Sequence, residues 1–134
     1  MVLSLEDAVT ILNKWKEESA RILAVAECPF RQFLQGIHGP SVDWAMGQHG
    51  KVSEISFYPG EKGKKASTVV LEAPCGNLSI SIGGCSFIYE EPREAEPHVR
   101  EEAKCATVSA LSIFFPSGEV FVFYELLEPL MGDN

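Results

Sequence analysis

The segment Gly60-Glu61-Lys62-Gly63-Lys64-Lys65 sets three ammonium groups beside two glycines, a composition suited to a backbone loop that cradles phosphate. Such a loop needs four residues between its glycines and a Ser or Thr directly after Gly-Lys, so that amides wrap the anion and a hydroxyl reaches its magnesium. Here two residues separate the glycines and another lysine follows. Lys62, Lys64 and Lys65 are therefore expected at a solvated hairpin tip. The thiols and imidazoles are Cys28, Cys75, Cys85, Cys105, His38, His49 and His98. A structural zinc site brings pairs of such ligands within a few residues of each other. The cysteines stand 47, 10 and 20 positions apart and the histidines are as scattered, so neither a metal nor a cofactor is expected.

Cysteine catalysis needs a thiolate held by an imidazole, a pairing made in space rather than along the chain. No Gly-x-Ser-x-Gly elbow offers a serine nucleophile. The acid pairs Glu90-Glu91 and Glu101-Glu102 are sequence neighbours in a charged stretch, where adjacent side chains diverge and stay ionised. No residue is assigned a catalytic role, and a non-enzymatic protein is expected. Aromatic residues offer more. Phe87 and Tyr89 share one face of a strand-like segment that runs into Glu90-Glu91-Pro92-Arg93, and with Trp44 they are candidates to line a groove for a small apolar ligand or a peptide. Phe121 and Phe123, on the last strand, are candidates for an interface. Core packing accounts for the same five residues without any ligand.

The elements that must position these residues can be read from periodicity. Leu5, Ala8, Val9, Leu12 and Trp15 recur at spacings of three and four, which predicts an amphipathic helix over 5–18 with Ser4 as its cap and Glu6 and Asp7 in its first turn. A break is expected near Ser19, although Ile22-Leu23-Ala24-Val25-Ala26 would serve either as more helix or as a buried strand. After Pro29 short β segments are expected at 30–37, 42–46, 52–58, 67–73, 78–82 and 87–90, separated by turns that include 47–50 and 83–84. Leu78 to Ile82 alternates most cleanly and predicts one wet face. Glu91 to Lys104, charged and carrying Pro92 and Pro97, is expected as a long loop with a short helix over 98–104. Two final strands, 106–115 and 119–127, meet at Pro116-Ser117-Gly118. On the last, Val120, Val122, Tyr124 and Leu126 point one way and Phe121, Phe123 and Leu127 the other, so it should be covered on both faces.

At 134 residues the chain fits one domain, 1–134, and its 46% hydrophobic content is that of a globular protein. Nineteen acids against eleven bases give a formal charge of −8, a field that repels phosphate and makes nucleic-acid binding unlikely to be its role. No apolar run approaches the roughly 20 residues of a membrane helix. The acidic opening, Glu6-Asp7, is unlike a secretory signal, so a cytoplasmic location with reduced, mostly buried cysteines is expected.

Leu34-Gln35-Gly36-Ile37 with Val42-Asp43-Trp44-Ala45-Met46, and Ile82-Gly83-Gly84-Cys85-Ser86-Phe87-Ile88, resemble the two motifs of the Sm-like small-barrel family. The resemblance covers about a third of the chain. It implies a bent antiparallel barrel behind a leading helix, and assembly into homo-oligomers through strand edges. Of the family's RNA-contacting set only Asp43 is matched, with Gly47 in place of the asparagine and Gly83 in place of the arginine. The fold expected is thus α+β, mainly β, with an N-terminal amphipathic helix on a strongly bent antiparallel sheet or small barrel. The function expected is self-association or protein interaction, the alternative being a binding module for a small apolar ligand or peptide.

Overall fold

The computed structural model describes residues 1–27, 46–59, 65–74 and 76–129. Among these residues eight antiparallel strands form one sheet: β1 (Val2–Leu3), β2 (Ile22–Glu27), β3 (Met46–Pro59), β4 (Lys65–Ala73), β5 (Gly76–Ser81), β6 (Ser86–Glu94), β7 (Cys105–Phe114) and β8 (Val120–Pro129). Two helices accompany them among the described residues, α1 (Leu5–Glu17) and α2 (Pro97–Ala103). Across the sheet the order is β1-β6-β7-β8-β2-β3-β4-β5. The fold is mainly β, as expected, and among the described residues the end strands β1 and β5 do not pair, so the described sheet is not closed into a barrel.

α1 forms where the apolar spacing places it. The Ser4 hydroxyl accepts from the Asp7 amide at 3.1 Å, satisfying a donor that the first turn leaves unpaired. Its end is equally defined. Ser19 adopts φ 51°, its amide donates to the Lys16 carbonyl and that of Ala20 to the Trp15 carbonyl at 2.9 Å, the crossed bonding that closes a helix in a left-handed residue. The chain then turns into β2, which resolves the helix-or-strand ambiguity of 22–26 in favour of a strand.

Ala8, Val9, Leu12 and Trp15 are buried against Ile22, Ala24, Phe87, Leu111, Ile113 and Phe123 on one side and Val52, Val69, Leu71, Ile80 and Ile82 on the other. Both halves of the sheet thus contribute to the layer beneath α1, which lies chiefly against β3, with β6 and β1 beside it. A second apolar layer covers the opposite face: Val99 and Ala103 of α2 pack with Leu23, Cys105, Val108, Ala110, Tyr124 and Leu126. β8 is therefore covered twice from Phe121 to Leu126, whereas Leu127, at its end, is 42% exposed.

Two sequence expectations change. The turn expected over 47–50 is strand: Gly47 to Gly50 pair with Val25 to Ile22, after which β3 leaves β2 and pairs with β4 from Lys51 onward. Gly50 is there for proximity, because a Cβ at that position would stand 2.3 Å from the Glu72 carbonyl oxygen. Likewise Glu91 to Glu94 belongs to β6 and not to a loop. The ladder with β7 shifts register between Glu90 and Arg93, so Pro92 sits in a bulge where its missing amide costs no ladder bond. The strands expected at 30–37 and within 42–45 lie outside the described residues.

Candidate functional site

The sequence candidates divide by depth. Phe87 and Phe123 are 1% and 0% exposed, and neither offers a surface to a ligand. Tyr89 and Phe121 are half-buried at the margin of the same layer, where Phe121 meets the Phe115 ring edge-on at a centroid distance of 5.7 Å. Strand register explains why the four come together: Phe87, Ile113 and Phe121 form one cross-strand row, and Tyr89, Leu111 and Phe123 the next. These rows form the wall facing α1. Trp44 lies outside the described residues, as do Cys28, His38, Cys75, Lys62 and Lys64.

Two thiols are described, both free. Cys85 is half-buried, and burial pushes its pKa up, which keeps it protonated and weakly nucleophilic. Cys105 is buried, with its sulfur 2.9 Å from the Glu128 carbonyl oxygen and 3.2 Å from that of Thr107. Among the described residues no three His, Cys, Asp or Glu side chains lie close enough together to hold a metal ion, and no helix is long and apolar enough to cross a membrane.

The two edges of the sheet differ sharply in chemistry. Beyond β6, β1 pairs with Phe87 and Ile88, and Met1 exchanges backbone bonds with Tyr89. The rest of that edge carries Glu90, Glu91, Pro92 and Glu94, a bulge, and Arg93 bridged to Glu90 at 2.8 Å and to Glu96 at 3.6 Å. Charge, proline and a bulge are the devices that keep an edge strand from recruiting another chain. β5 has none of them. Its sequence Gly-Asn-Leu-Ser-Ile-Ser is uncharged, its register with β4 is unbroken, and no described strand lies beyond it. Ile80 and Ile82 are buried and Asn77, Ser79 and Ser81 exposed, the alternation expected of this segment.

A cleft of about 480 Å³ opens where β2, β3 and β4 meet, lined by Arg21, Ile22, His49, Gly50, Lys51, Glu72, Ala73 and Pro74. His49 Nε2 lies 3.3 Å from the Glu102 carbonyl oxygen. Nothing in the sequence joined these residues into a site: they come from three separate segments, brought together by the pairing of Ile22 with Gly50 and of Lys51 with Glu72. No family model, curated protein or solved structure matches the chain.

Proposed function

We propose that the protein is a non-enzymatic, self-associating domain whose copies join through β5, edge to edge. The observation that carries this reading is the asymmetry of the two edges: one is covered, charged and bulged, and the other is neutral, regular and open among the described strands. A second copy is the partner that fits. Two identical strands related by a two-fold axis run antiparallel, and the bent sheets then merge into one. Neutrality matters because each protomer carries −8, so a charged edge would add local repulsion to that of the whole molecules. Edge pairing of bent sheets is also the mode of assembly that the Sm-like resemblance implies.

Light scattering behind size exclusion tests the proposal. The expected mass is twice the 14.7 kDa protomer at micromolar concentration. The double variant Ser79→Lys/Ser81→Lys, which sets like charges across the shared ladder, is expected to elute as a folded monomer. A monomeric wild type at high concentration, or a dimer indifferent to both lysines, would overturn it.

A further inference from the structure

The geometry points to the cleft between β2, β3 and β4 as a binding site for a small organic carboxylate with an apolar body. Arg21, just before β2, and Lys51 of β3 both line it and, among the described residues, neither has an ion-pair partner. Among the described residues Glu72 is the single acid in the lining, so the formal balance of Arg21, Lys51 and Glu72 is +1, inside a chain of −8. Acidic surroundings make a local excess of base selective, because an anion held there is repelled by most of the remaining surface. The guanidinium of Arg21 presents paired donors that match a carboxylate, and Lys51 adds a second point charge.

The rest of the lining supplies the other half of the ligand. Ile22, Ala73 and Pro74 give an apolar floor, with Gly50 backbone beside it. A volume of about 480 Å³ lies within the roughly 300–1,000 Å³ of small-molecule sites. An apolar ring over the floor with its carboxylate toward Arg21 uses both parts at once. Gly50 itself must stay glycine, since a Cβ there would strike the Glu72 carbonyl 2.3 Å away.

Benzoate is a suitable probe, followed by amide shifts in ¹H–¹⁵N spectra of the full chain. Saturable shifts are expected at Ile22, Gly50, Lys51 and Glu72, with benzyl alcohol and inorganic phosphate each at least fivefold weaker, because one lacks the charge and the other the apolar body. Arg21→Gln/Lys51→Gln is expected to weaken benzoate at least fivefold, and Glu72→Gln to tighten it about twofold. All three side chains are exposed, so these variants should keep the wild-type spectrum away from the cleft. Shifts that map elsewhere, equal binding of benzyl alcohol or of phosphate, or indifference to the charge variants would overturn the assignment. Tightening by Glu72→Gln reads the site even if the double variant misfolds. β5 contributes nothing to the lining, so failure here leaves the self-association proposal standing.

Discussion

Trp15 is 1% exposed and is the largest side chain of the layer beneath α1, so its removal empties a site that neighbours on both halves of the sheet cannot refill. Trp15→Ala is expected to cost about 3–5 kcal/mol, measured by denaturant unfolding, and a neutral result would contradict its place in the core. Gly50 works in the opposite sense. There is no room for even a methyl group between it and the Glu72 carbonyl, and backbone yields less readily than a side chain. Gly50→Ala should cost about 2 kcal/mol or more as overpacking, whereas a glycine conserving mere turn flexibility would tolerate the change. Ser19 offers a gain. It holds a left-handed conformation that side chains resist, at the one point where α1 must reverse. Ser19→Gly is expected to stabilise by about 0.5–1 kcal/mol, an increase in melting temperature that calorimetry would resolve. At Cys85, whose pKa burial raises, iodoacetamide at mildly alkaline pH should react more slowly than with free cysteine.

At the scale of elements, what the sequence disclosed followed from how local its causes are. α1 was legible because its cap, its stripe and its last turn all lie within residues 4–20, and β7 and β8 because a short turn joins two strongly apolar strands. The misreadings share one origin. At Gly50 and Pro92 the residues that usually announce a turn serve a different end, close approach of β3 to β4 in one case and interruption of an edge ladder in the other. Distinguishing these uses requires knowing which strand lies alongside, and that is settled by distant segments. The cleft was illegible for the same reason, since Arg21, Lys51 and Glu72 meet only through pairing. The aromatic candidates, by contrast, were easy to see, and the four that are described lie in or at the margin of the layer facing α1. β8 allows a direct check of its double cover. Phe123→Asp, which buries a charge with no partner at a fully enclosed position, is expected to leave no folded monomer by circular dichroism. Phe121→Asp, at the half-buried margin, should leave a folded but weakened protein.

For the whole molecule, the proposed assembly through β5 would couple stability to concentration. If dimers form, the melting temperature should rise by about 2 °C for each tenfold increase in protein, because dilution favours the dissociated, more easily unfolded protomer. A melting temperature independent of concentration would speak against it. The middle of the sheet carries a different consequence, one concerning time. β2 is hydrogen-bonded to β8 from Ile22 to Glu27, so a strand near the start of the chain has as its neighbour one that begins at Val120. During synthesis, at about 5–20 residues per second, the intervening stretch takes roughly 5–20 s to make. Throughout that interval Ile22, Leu23 and Ala24, fully buried in the end, have no β8 to lie against. Folding of this domain is thus deferred until nearly all of the described chain exists, with the loop-closure cost that makes such non-local pairing slow. A nascent chain halted before Val120 should remain sensitive to protease along α1 and β2 and bind chaperones that recognise apolar strands.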